Sequence, residues 1–211
     1  MSVALAEVEQ RTSGWFEQRL GCLTASRMAD MLAKTKSGPS ASRANLLAQL
    51  VCERLTGKPT EHFESADMRR GSELEPEAIA RYEAKTGSII VPAGFVRHPS
   101  ISFFGASPDG YVDEDGLIEV KCLNAANHIA ILKGGDIGKY VPQVQTQLIC
   151  TQRAWCDLSF WHPDFPEHLR LKIIRVAAHQ DYQRSIEGEA LRFLAEVTIE
   201  IKTLQELKVA A

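Results

Sequence analysis

Apolar residues along the chain recur at two different intervals. Residues 42–56 place Leu46, Leu47, Leu50, Val51 and Leu55 at helical spacing and stop at Gly57. Residues 73–86 (ELEPEAIARYEAKT) predict a second helix, with Pro76 in its first turn and Gly87 past its end. A shorter helix over 24–34 would be capped by Thr24 or Ser26, and the Gly-Pro and polar content of 34–40 predicts a flexible loop. From residue 88 the period shortens. Ser88–Val96 and Ile101–Ala106 read as strands, and Asp109–Cys122 as a hairpin. Residues 125–133 are weakly helical. Lys139–Thr151 is a firmer helix that tolerates Pro142 near its start. Ala154–Trp161 and Leu169–Val176 read as two more strands, and residues 180–208 as a long amphipathic helix. This order predicts an α/β or α+β fold, with a central mixed sheet flanked by helices in one domain over 1–211.

Composition narrows the class. The chain has 211 residues, is 45% hydrophobic and 24% charged, and has no apolar run of the ~18 residues that a membrane helix needs. MSVALAEVEQR has no basic segment ahead of an apolar core, so no secretory leader is expected. Cys22, Cys52, Cys122, Cys150 and Cys156 are odd in number and form no CxxC pair. A disulfide framework or four-cysteine metal site is therefore not expected, and a reducing compartment is the simpler setting. The six histidines, His62, His98, His128, His162, His168 and His179, show no metal-ligand spacing. Trp15 reads as a core or docking aromatic, and Trp155 and Trp161 as packing residues.

Charge is uneven. Residues 1–60 carry a net +3, residues 61–120 a net −7 and residues 121–211 a net +1. Crowded carboxylates are costly unless solvated, paired or bound to a cation. Glu73, Glu75, Glu77 and Glu83 could all line a solvated helix face. The hairpin SPDGYVDEDGLIEVKC (107–122) offers more. A three-residue loop Glu114-Asp115-Gly116, with Gly116 left-handed, would set Asp113 opposite Leu117, Tyr111 opposite Glu119 and Asp109 opposite Lys121. Strand alternation then puts Asp109, Glu119 and Lys121 on one face, and Val112, Ile118 and Val120 on the other. Two carboxylates suit Mg²⁺, which takes hard oxygen ligands and keeps several waters. Bound water at such an ion is easier to deprotonate and can attack phosphorus, while a lysine can stabilise the developing charge. On spacing alone a surface ion pair between Lys121 and its neighbours is the more ordinary reading, since Asp-x9-Glu-x-Lys occurs often by chance.

SPDG followed by GLIEVKC resembles the PD-(D/E)xK nuclease signature. More narrowly, the chain resembles the phage lambda-type exonuclease family, also called YqaJ-like viral recombinases. WFEQRLGCLTAS (15–26) is similar to the family's W-x3-R-x-G-x-x-TAS segment, RGSELEPEA (70–78) to its G-x3-E helix start, and YVPQVQTQL (140–148) to its Q-V-Q helix. The four segments occur in order between residues 15 and about 176. Leu123 departs from the family, which often has proline there.

The resemblance implies a restriction-endonuclease-like core with Asp109 and Glu119 as metal ligands, Lys121 as catalytic lysine, and the Val120 carbonyl and Glu75 completing the metal site. It implies Arg19, Ser26, Ser107 and Gln143 as the pocket for a terminal 5′-phosphate. Arginine offers phosphate a planar fork. Gln143 shares a helix face with Gln147 and Tyr140. Glu73 and Glu77 are left facing solvent. The implied activity is 5′→3′ digestion of one strand of linear duplex DNA to 5′-mononucleotides, leaving 3′ overhangs. It would use Mg²⁺ or Mn²⁺, with two ions per site. The implied assembly is a homotrimeric ring acting beside a single-strand annealing protein in the cytoplasm of a bacterium hosting a phage or prophage. Another PD-(D/E)xK endonuclease or resolvase, or a non-catalytic DNA-binding module, is the alternative. An iron–sulfur nuclease is disfavoured by the missing cysteine cluster.

Overall fold

A computed structural model describes residues 9–36, 38–60 and 65–207. Residues 1–8, His62 and Lys208 lie outside the described residues. Along the chain the elements are α1 (Ser13–Arg19), β1 (Leu23–Thr24), α2 (Met28–Leu32), β2 (Lys34–Thr35), β3 (Gly38–Pro39), α3 (Ala41–Thr56) and α4 (Ala66–Thr86). There follow β4 (Ile90–Val91), β5 (Val96–Arg97), β6 (Phe104–Ala106), β7 (Gly110–Val112), β8 (Gly116–Cys122), α5 (Ala125–Leu132) and α6 (Val141–Thr151). The last are β9 (Trp155–Trp161), α7 (Glu167–Arg170), β10 (Leu171–Ala177) and α8 (Gln180–Leu207).

The main sheet has five strands in the order β10-β9-β8-β7-β4. It is mixed, as expected: β8 runs parallel to β9, and the other neighbours are antiparallel. A smaller sheet, β1-β6-β5, continues the site region, and β2 with β3 makes a short hairpin where the sequence predicts a loop. The main sheet is covered on both faces. Val112, Ile118 and Val120 pack against Ala78 and Tyr82 of α4. Tyr111 and Leu117 on the other face pack against Val144 and Leu148 of α6. A third core joins α2, α3 and α8 through Met28, Leu50 and Phe193. Trp161 is buried as expected.

Several boundaries differ from those read in the sequence. Helix α4 starts at Ala66, so Pro76 lies in its interior and not in its first turn. The predicted helix over 24–34 is a strand residue pair, a 3-10 turn over Ala25–Arg27, and the five-residue α2. Thr24 precedes that turn without a side-chain capping bond. The long strand predicted over 88–96 is two short pieces.

The hairpin also turns one residue earlier than predicted. Val112 pairs with Gly116 and Gly110 with Ile118. Asp113, not Gly116, takes the left-handed conformation, at φ 47°, which aspartate tolerates better than most residues. Gly116 is needed for room: a β-carbon there would lie 2.2 Å from the Trp155 ring. Moving a loop by one residue shifts both strand ends together. Side-chain parity is therefore conserved, and Asp109, Glu119 and Lys121 keep a common face.

Helix α4 is pinned to the sheet by a buried polar contact. Tyr82 donates to Asp157 at 2.8 Å, and Arg175 grips the same carboxylate with two nitrogens at 2.8 and 2.9 Å. Burial first, then the bond to Asp157, pushes the Tyr82 phenol well above its ordinary value.

Candidate active site

The site lies where the start of β7, the end of β8, α4 and α6 meet. Glu119 is 3% exposed. A buried carboxylate must be hydrogen-bonded or neutralised, and three donors converge on this one. Lys121 Nζ and Gln143 Nε2 each reach Oε1 at 2.6 Å, and Gln147 Nε2 reaches Oε2 at 2.6 Å. The four-residue spacing on α6 aligns the two glutamines, as expected from the sequence. Lys121 also donates to Gln143 Oε1 at 3.2 Å. Burial acts to lower the Lys121 amine, but Glu119 and Asp109 outweigh it and raise it overall.

Asp109 precedes β7 and accepts a bond from the Val120 amide at 2.6 Å. It keeps some solvent contact yet sits deep among protein atoms. Lost hydration, then the Glu119 charge, then the Glu75 charge, raise its carboxyl well above the ordinary range. Glu75 stands on α4, and its carboxylate is held by Arg11 at 2.6 Å. Cys122, at the end of the same strand, has its thiol pushed up to about 11, by burial and then by Glu75.

These acids suit a hard divalent cation. The Glu119 and Glu75 charges raise the cost of ionising Asp109 between them, and a cation there would relieve it. Among the described residues, no three acidic, histidine or cysteine side chains already gather around one point. The hydrogen bonds give the physical reason: Glu119 is turned to Lys121, and Glu75 to Arg11.

A second feature adjoins the first. Arg19, on α1, donates to Ser107 Oγ at 2.8 Å and lies 4.0 Å from the centre of the Trp15 ring. Trp15 Nε1 donates to the same hydroxyl at 3.0 Å. Trp15 is thus a docking aromatic that holds both Arg19 and Ser107, a role that the i, i+4 spacing of Trp15 and Arg19 could have signalled. Burial brings Arg19 down to about 10, which leaves it charged at neutral pH but poorly hydrated. Ser26, exposed on the 3-10 turn, shares a hydrogen bond with Thr24 at 3.2 Å. Gln143 faces Glu119 and Lys121 rather than Arg19. Glu73 and Glu77 are exposed. Gln147, Arg11 and Gln10 were not identified from sequence as site residues.

No described helix is long and apolar enough to cross a membrane. The described cysteines are all free.

Comparison with known structures defines the class. The alkaline exonuclease LHK-Exo from Laribacter hongkongensis superposes with a TM-score of 0.87 at 42% identity, covering 94% of this chain and 99% of that one. LHK-Exo in complex with dAMP gives the same score at 43% identity, with the same coverage. A phage-related exonuclease from Haemophilus somnus 129PT shares the fold, with a TM-score of 0.67 at 13% identity over 88% of this chain and 96% of that one. No curated protein shows significant similarity to the chain. The fold is that of an alkaline exonuclease, and the chain is a nuclease. Residues 14–154 match the YqaJ-like viral recombinase domain, and the chain belongs to that family.

Proposed function

We propose that the chain is a Mg²⁺-dependent 5′→3′ exonuclease of linear double-stranded DNA that releases 5′-mononucleotides and leaves 3′ overhangs. One observation carries this reading: Ser107 and Asp109 belong to the same short segment. Ser107 is held by Arg19 and Trp15, and Asp109 lies beside Glu119. Two residues of extended chain span at most about 7 Å, comparable to the separation of successive phosphates on one strand. A terminal phosphate bound at Arg19 and Ser107 would therefore bring the next phosphodiester to the carboxylates, so cleavage there frees a single nucleotide. The complex of LHK-Exo with dAMP, at 43% identity, supports a mononucleotide product.

Asp109, Glu119, Glu75 and the Val120 carbonyl would hold the cation, with room for one ion or two; Mn²⁺ would also suit these oxygen ligands. When bound, the cation would polarise the phosphate and acidify a water. Lys121, bonded to Glu119 at the edge of that site, would donate to developing negative charge on the phosphate. Gln143 orients Lys121 and Glu119 together. Ser26 would add a hydroxyl to the phosphate pocket.

The reading extends to a homotrimeric ring, an annealing-protein partner in recombination and a bacterial cytoplasm hosting a phage or prophage. Light scattering at working concentration should give three times the chain mass, and a stable monomer would remove the ring.

The test of activity is digestion of linear duplex labelled at either 5′ end, with and without Mg²⁺. We expect Mg²⁺-dependent release of 5′-mononucleotides, an untouched closed circle, and no cleavage by Lys121→Ala. Cutting of the closed circle, or full activity in Lys121→Ala, would overturn the reading.

A further inference from the structure

We propose that Arg11 is a tethered counter-cation that occupies Glu75 in the ion-free protein and must release it when a divalent ion binds. The inference rests on the reading of Glu75 as a cation ligand.

Arg11 Nη2 lies 2.6 Å from Glu75 Oε2. Arg11 Nη1 faces the Ser72 carbonyl at 3.5 Å, the outer limit of a hydrogen bond. That carbonyl is available for a reason. Four residues on stands Pro76, which has no N–H to give it, so the helix leaves an acceptor unmatched one turn before Glu75. The guanidinium thus meets a carboxylate and a spare carbonyl, two hard oxygens of the kind a divalent ion also takes.

The side chain is aimed by its backbone. Arg11 has φ 66°, the left-handed region that a long side chain seldom adopts. Its neighbours hold it there. Gln10 Nε2 donates to the Ala93 carbonyl at 2.7 Å and to the Pro108 carbonyl at 2.8 Å, directly ahead of Asp109. Thr12, on the other side, caps α1 through the Trp15 amide. Strain of this kind persists where the surroundings fix it, and such places cluster at functional sites.

The contact can also be undone. The Arg11 side chain is 49% exposed, against 24% for Glu75, so the guanidinium can swing into water while the acid stays. Pairs this open are weak. Arg11 therefore offsets repulsion among the acids without locking the ion out, and ion binding frees a positive charge beside the site.

The test is isothermal titration of Mn²⁺ into the DNA-free full-length protein. An exposed pair worth up to about 1 kcal/mol corresponds to about fivefold in affinity, so Arg11→Ala should bind Mn²⁺ about three- to fivefold more tightly, and Arg11→Lys less so. In a Glu75→Gln background, Arg11→Ala should change nothing. Unchanged or weaker binding in Arg11→Ala would overturn the proposal. So would a tightening that persists with Glu75→Gln, since Arg11 would then act only through general charge. If Asp109→Asn and Glu75→Gln both leave Mn²⁺ binding intact, the cation reading of the site fails too. If they weaken it while Arg11→Ala has no effect, only the counter-cation fails.

Discussion

Replacing Gln147 with methionine isolates one bond of the Glu119 cradle. Gln147 is fully buried, and its amide nitrogen meets Glu119 Oε2 at 2.6 Å. Methionine is unbranched and close in volume, so the packing loss is small. A hydrogen bond to a charged group contributes about 1.5–3 kcal/mol. Against this, Gln147 Oε1 is buried without a partner, and deleting it returns part of the loss. The amide must stand this way round, because the carboxylate accepts and only the nitrogen donates. The net cost should be about 1–2 kcal/mol. For a chain of this size each kcal/mol moves the melting temperature by about 2–4 °C. A scanning-fluorimetry melt of the ion-free protein should therefore fall by roughly 2–8 °C. Gln143→Met should cost less, since Gln143 is only half-buried and water can replace its bond. A Gln147→Met protein as stable as the unmodified one, or an inverted order of the two variants, would refute a cradle built on α6.

Other outcomes follow from the same geometry. Arg19→Ala should reduce the preference for 5′-phosphorylated over 5′-hydroxyl ends in a duplex digestion assay, and equal rates on both ends in the unmodified protein would remove the phosphate pocket. The Asp109 carboxyl is raised in the folded state, so the fold binds its proton more tightly than the unfolded chain does. Its ionisation costs stability as pH rises from the ordinary aspartate range through the raised value. Asp109→Asn should accordingly melt higher than the ion-free unmodified protein at neutral pH, match it in acid, and lose the stabilisation by Mg²⁺. Thiol labelling should separate the cysteines. Cys52 is exposed, while burial raises the thiols of Cys22, Cys122, Cys150 and Cys156. At pH 8 a thiol reagent should therefore react rapidly with Cys52 alone.

The faces of the hairpin were legible in the sequence because alternation is a strict period of two. A misplaced turn moved the pairing by a whole period and left Asp109, Glu119 and Lys121 together. Helix α1 was not legible. It has seven residues and none is buried, so it shows no apolar period; the Thr12 cap and the Trp15–Arg19 stack hold it. The first turns of α4, over residues 66–72, are mainly polar and exposed or half-buried, which made Pro76 look like a helix start. Of the residues around the carboxylates, Gln147 could be placed on a face but not on an acid, because spacing does not reveal which strand a helix covers. Arg11 lies 64 residues from Glu75, and nothing local marks such a pairing.

The phenol–carboxylate–guanidinium link at Tyr82 has a consequence for how the nuclease can vary. Tyr82 follows Glu75 by seven residues, so the two lie about two turns and 10 Å apart along one rigid rod. The rod is bolted at one end, and on the proposed reading it presents a cation ligand at the other. Erosion of that bolt should show first as misalignment of the working end, with the rod still seated. Changes around Asp157 would then register as slow enzymes before they register as unstable ones.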